Sequence, residues 1–209
     1  MKASKNELIL EAALQQFCEH GFSASRIADI AKKAGVGKGT IYEYYHSKEE
    51  LLLKCCIHSC QQVDNSISEL PQRLEAQNAV QRVSVTLIAL LTTLFSKNGA
   101  EYKLFYELSV LTANNSQMKS LMQKEFQIKM AQWNQMALLD YQAGLEEGLF
   151  RELGNAQDLA EFIVATVDGL IWQLQWQSES KLNTQAKRLS DIYCQLIMKE
   201  PQRLEEYLK

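Results

Sequence analysis

Two prolines and nine glycines among 209 residues leave little to interrupt a helix. So thin a supply argues against a turn-rich β architecture and for long helices. No apolar run approaches the roughly 18 residues that a membrane span needs. The first apolar cluster is broken by charge within one turn, unlike a secretory signal. The sequence has no G-x-S-x-G, no phosphate-cradling glycine loop, no H-E-x-x-H and no cysteine pairs at zinc spacing. Its three histidines, His20, His46 and His58, stand near no nucleophile–acid set. Neither an enzyme, nor a cofactor, nor a metal site is expected.

What is present suits a packed helical protein. Apolar residues make up 46% of the chain, enough for a core. Ser4 and Glu7 form an S-x-x-E capping box before the apolar face Ile9, Ala13 and Phe17. Gly21 is placed to end that helix. A short helix is predicted over Arg26–Ala34, with Ser25 as its N-cap and Gly35 as its stop. Another is predicted over Lys38–Tyr45. Ser47 and Glu50 form a second capping box, opening a long helix that should stop at Pro71. Three- and four-residue apolar spacing then predicts helices over 73–97, 101–113, 117–147, 156–178 and 184–208. The fold class is therefore all-α. A helical DNA-binding domain is expected over 1–46 and a larger helical domain over 47–209.

Net charge is −3 overall, so composition alone does not announce nucleic acid. The distribution does: residues 26–48 hold five Lys/Arg against two Asp/Glu, a basic island on an acidic chain. In SRIADIAKKAGVGKGTIYEYYHSK, residues 25–48, two short helices flank a tight turn at Ala34-Gly35-Val36. That is the helix-turn-helix pattern, whose second helix reads the major groove of double-stranded DNA. With Ile41 inward, Tyr45 lies above it, and Gly39 and Glu43 point outward with Thr40, Tyr42 and Tyr44 on the flanks. Eight residues give roughly 12 Å of helix, suited to a major groove roughly 12 Å wide. Lys38 and Lys48 read as a phosphate clamp, with hydroxyls from Ser25 and Tyr42.

Residues 9–52 resemble the N-terminal domain of TetR-type regulators almost position by position. The resemblance rests on Gly21-Phe22, Ile30-Ala31, Gly35-Val36, Lys38-Gly39-Thr40-Ile41-Tyr42, Tyr45 and Ser47-Lys48. It implies DNA contacts at Ser25, Gly37, Lys38, Gly39, Thr40, Tyr42, Tyr44 and Lys48. Gly37 stands where a serine is common, and Glu43 where an aromatic or neutral polar residue is common. The resemblance further implies a homodimer and a C-terminal domain that binds a small molecule, while a chain without a secretory signal or membrane span is expected to be cytoplasmic. Release of a repressor from operator DNA by that molecule is the expected function. A helix-turn-helix-derived architectural or partner-binding protein without an inducer is the alternative.

The larger domain holds many rings, among them Phe95, Phe105, Tyr106, Phe126, Trp133, Tyr141, Trp172 and Trp176. Together with Met130 and Met136 they suit a small apolar or aromatic effector. Glu107 and Asp140 sit inside apolar runs, where an acid needs a partner, either a protein group or a cationic ligand. The ligand residues expected are Phe105, Glu107, Trp133, Met136, Asp140 and Trp172. Wide apolar stripes on the last two long helices point to dimerisation through Leu170, Ile171, Leu189, Ile192 and Leu196. Cys55, Cys56 and Cys60 crowd one segment beside His58. Cysteine packs as a small apolar residue, and a core role outweighs a metal or redox one. Five cysteines in a cytoplasmic chain are expected to be reduced.

Overall fold

A computed structural model describes residues 4–68, 70, 75–96, 100–113, 115–174 and 179–209. Within these, side chains are described except at 93–96, 100, 102, 171, 172, 174, 179 and 180. The expectations for Phe95, Gly99 and Trp176, and for the side chains of Ile171 and Trp172, lie outside the described residues.

The described elements are helices, and the only strand-like pairing among them is an isolated antiparallel bridge between Phe150 and Met198. In chain order they are α1 (Lys5–Ala24), α2 (Ile27–Ala34), α3 (Lys38–Tyr44), α4 (Lys48–Ser68), α5 (Ala79–Ser96), α6 (Ala100–Ala113) and α7 (Ser116–Glu146). Then come α8 (Ala156–Leu174), α9 (Glu179–Ile197), a single 3₁₀ turn (Pro201–Arg203) and α10 (Leu204–Tyr207).

The caps explain most of these limits. Ser4 Oγ accepts the Glu7 N–H at 3.2 Å, and Glu7 returns the bond to the Ser4 N–H at 2.7 Å. Gly35 takes the left-handed conformation that ends α2, at φ 68° and ψ 29°. Gly21 has φ 75° but ψ 163°, a region essentially confined to glycine, and it kinks α1 without ending it. At α4, Ser47 Oγ accepts the Glu50 N–H at 3.0 Å, while Glu50 reaches back to the His46 N–H at 2.9 Å.

Two limits differ from the periodicity reading. Thr184 does not start the last long helix; it lies inside α9. Nor does that helix continue to 208. Pro201 has no N–H to extend it. The backbone instead leaves α9 to pair with the segment after α7: Arg151 N–H donates to Ile197 O and Lys199 N–H to Leu149 O, both at 2.9 Å.

Two compact units emerge, Met1–Gln62 with Lys97–Phe126, and Val63–Ser96 with Gln127–Lys209. In the first, Ile9, Phe17, Ile30, Ile41, Leu51 and Leu104 share one buried cluster. Thus α1–α3 share a core with the start of α4 and with α6. In the second, Val80, Tyr141, Phe150, Cys194 and Ile197 are buried together. Gly144 makes room there: a Cβ at that position would overlap the Phe150 ring, which stacks on Tyr141 at 6.1 Å.

Candidate nucleic-acid interface

The reading helix presents the two faces its periodicity predicts. Ile41 and Tyr45 are buried, and Tyr45 Oη donates to Asn6 Oδ1 at 2.5 Å, tying the end of α3 to the start of α1. Burial pushes the Tyr45 phenol up to about 12, so it stays protonated as a donor. The opposite face of α3 is open. Gly37, Lys38, Gly39 and Glu43 are exposed, and Tyr42 and Tyr44 keep 46% and 44% of their surface in solvent. Two aromatic rings so exposed on a seven-residue helix are unusual without a partner. The Lys38 ammonium lies 6.0 Å from the Tyr42 ring, at the outer limit of a cation–π contact. Thr40 is half-buried, its N–H donating to Gly37 O at 3.0 Å. A Cβ on Gly39 would meet nothing within 4 Å, so the chain there is bare backbone facing outward.

Ser25 and Lys48, both expected at phosphates, meet backbone carbonyls in this structure. Ser25 is buried, and its hydroxyl donates to Gly21 O at 2.7 Å and to Gln16 O at 3.1 Å. It therefore closes α1 and does not cap α2, whose N-cap is Arg26 with no side-chain bond. The Lys48 ammonium donates to Phe22 O at 2.7 Å, to Ser25 O at 3.0 Å and to Ser23 O at 3.5 Å. It also lies 4.2 Å from the Phe22 ring. Arg26, not singled out above, is exposed at the start of α2. It is the first basic residue of the charged island, and that position was the signal available for it.

The six expected ligand residues do not gather in one unit. Phe105 and Glu107 belong to the first; Trp133, Met136 and Asp140 belong to the second. Phe105 packs edge-on against Phe126 at 5.9 Å. Glu107 Oε2 accepts the Phe22 N–H at 2.8 Å, which supplies the partner its apolar surroundings demand. Trp133 Nε1 donates to Asp64 Oδ1 at 2.8 Å, and Asp64 Oδ2 takes the Lys129 ammonium at 2.6 Å. Met136 is exposed. Burial pushes the Asp140 carboxyl above the usual carboxylate range, against the pull of Arg82. Of the residues expected at a dimer contact, Ile192 and Leu196 are 49% and 53% exposed, while Leu170 and Leu189 are half-buried. Phe162, 65% exposed on α8, lies on a helix expected at that contact but was not among the residues singled out for it.

Cys55, Cys56 and Cys60 are buried, and burial raises the Cys55 and Cys56 thiols well above their ordinary value. Cys55 Sγ lies 3.6 Å from Leu10 O. No group of three His, Cys, Asp or Glu placed to hold a metal occurs among the described residues. No described helix is long and apolar enough to cross a membrane.

Residues 9–55 match the profile of bacterial regulatory proteins of the tetR family. The HTH-type transcriptional regulator YfiR of Bacillus subtilis is 22% identical over 180 residues, covering 86% of this chain and 84% of that protein. Among solved structures, the regulator FadR of Bacillus subtilis in complex with stearoyl-CoA superposes with a TM-score of 0.62 at 20% identity, over 88% of this chain and 96% of that one. A transcriptional regulator of Saccharomonospora viridis in complex with choline gives 0.67 at 21% identity, over 93% and 97%. Residues 9–55 thus carry the motif of the tetR family of bacterial regulatory proteins, and the chain shares its fold with these solved regulators.

Proposed function

We propose that the protein represses transcription as a homodimer, that α3 of each protomer enters the major groove of operator DNA, and that a small apolar or aromatic effector releases it. The exposed face of α3 carries this reading. Its inward residues are locked by the core, so Lys38, Gly39, Thr40, Tyr42 and Tyr44 are held in fixed positions, as groove reading requires. Gly37, Lys38 and the exposed Arg26 supply backbone and charge for phosphates on either side. Selection from a random DNA pool is the test. An enriched inverted repeat with half-sites roughly 34–36 Å apart is expected for such a dimer. Thr40→Ala should change which site is enriched, with discrimination at one base pair falling by about 10- to 100-fold. No enrichment by the wild type would leave a partner-binding module as the better reading.

For assembly, α8 and α9 each leave large apolar side chains in water: Phe162 on the first, Ile192 and Leu196 on the second. Exposed apolar surface of this kind favours a symmetric contact between copies. For the effector, Trp133, Met136 and Asp140 share α7 within the second unit. Asp140 is the acid left for a cationic group, since Glu107 is engaged by Phe22. Lipophilic cations should therefore quench tryptophan fluorescence, and Asp140→Asn should weaken their binding about tenfold while sparing neutral aromatics. Binding of stearoyl-CoA without any binding of cations would refute the charge argument.

A further inference from the structure

The peptide groups around Phe22 are held from two sides. On one side, the Glu107 carboxylate of α6 accepts the Phe22 N–H at 2.8 Å. On the other, the Lys48 ammonium of α4 takes Phe22 O, Ser25 O and, at 3.5 Å, Ser23 O. An ammonium has three donors, and each has a carbonyl here. These carbonyls lie at the C-terminal end of α1, where a cation also meets the negative end of the helix dipole. Gly21, at φ 75°, makes the kink that turns this segment, and the buried Ser25 hydroxyl closes it onto Gly21 O and Gln16 O. Only Arg26 separates Ser25 from α2, and α2 packs on both α1 and α3. Any rotation of the Phe22 turn is therefore passed to the reading helix.

We propose that Glu107 and Lys48 are positioning residues for DNA reading, clamping the Phe22 turn from α6 and α4, and that Lys48 does not bind phosphate. The inference rests on the DNA-reading proposal above. It gives Lys48 a role that the resemblance, which placed a phosphate contact there, does not assign. It also gives the acid in LFYELSV a structural ligand inside the protein.

The test combines amide exchange with a salt series on the full chain. Glu107→Ala should speed hydrogen exchange at the Phe22 amide at least tenfold. Glu107→Gln keeps an acceptor oxygen and should restore protection, which separates the clamp from general damage. Both Lys48→Ala and Glu107→Ala should weaken operator binding by roughly tenfold at every salt concentration. The slope of log affinity against log salt should stay that of the wild type, because no phosphate contact is lost. Glu107→Gln should bind DNA as the wild type does. A slope reduced by about 1 in Lys48→Ala would restore the phosphate role and overturn the proposal. So would unchanged Phe22 exchange in Glu107→Ala. If the wild type selects no DNA, the DNA-reading proposal falls, and this positioning role falls with it. Exchange at Phe22 still reports separately whether the clamp exists.

Discussion

Ile192→Glu is expected to convert the proposed homodimer to monomers and to abolish operator binding. Ile192 lies on α9 with 49% of its surface exposed, and Leu196, one turn further on, is 53% exposed. Neither is needed by the core of the second unit, which α9 supplies through Cys194 and Ile197 on its other face. The substitution therefore leaves the protomer's packing intact. In a two-fold contact, each change occurs twice, and two carboxylates would face the same apolar patch. Removing an ionised carboxylate from water without a partner costs several kcal/mol, more than one interface side chain contributes. A single reading helix then binds alone, without the second half-site. Sedimentation should show a dimer for the wild type and a monomer for the variant at micromolar concentration, with the same circular dichroism. A wild type that sediments as a monomer would remove the basis for the prediction.

Much of this architecture was legible in the sequence because it is encoded locally. The capping box at Ser4 and the side-chain cap at Ser47 need only a residue three positions on. The inward placement of Ile41 and Tyr45 follows from one helical turn, and so does the outward placement of Gly39. What spacing alone does not show depends on partners far along the chain. Lys48 meets carbonyls 23–26 residues away, and Glu107 meets an amide 85 residues away. A lysine beside a helix-turn-helix suits a phosphate or a helix C-terminus equally well, and spacing does not separate the two. The same holds for Ser25, which by position could cap α2 but donates instead to Gly21 O and Gln16 O of α1. Phe162 has apolar neighbours at three- and four-residue spacing, yet it is 65% exposed. An apolar stripe wide enough for two partners looks, in one sequence, like a stripe for one.

Gly39 offers a test in which stability and DNA binding move in opposite directions. It is the second residue of α3, in the first turn, with φ and surroundings that accept any side chain: a Cβ there meets nothing within 4 Å. Glycine within a helix costs about 0.5–1 kcal/mol relative to alanine, through the backbone entropy lost on folding. Folding alone therefore favours a larger residue. Gly39→Ala should raise stability toward denaturant by up to about 0.5 kcal/mol, less than in a helix interior because Gly39 lies in the first turn, and Gly39→Leu should not lower it. Groove reading makes the opposite demand. A bare Cα on the outward side of the first turn of α3 lets the backbone approach base edges and phosphates, and a leucine side chain would hold the helix off by several ångströms. Contacts to bases weaken steeply over that distance, and losing even one good pair costs about 1–3 kcal/mol. Gly39→Leu should thus lower operator affinity about 100-fold or more, with Gly39→Ala intermediate and both variants dimeric. Urea titration and gel-shift measurements on the same preparations decide the matter. Undiminished DNA binding by Gly39→Leu would mean that this face of α3 is not the one that enters the groove.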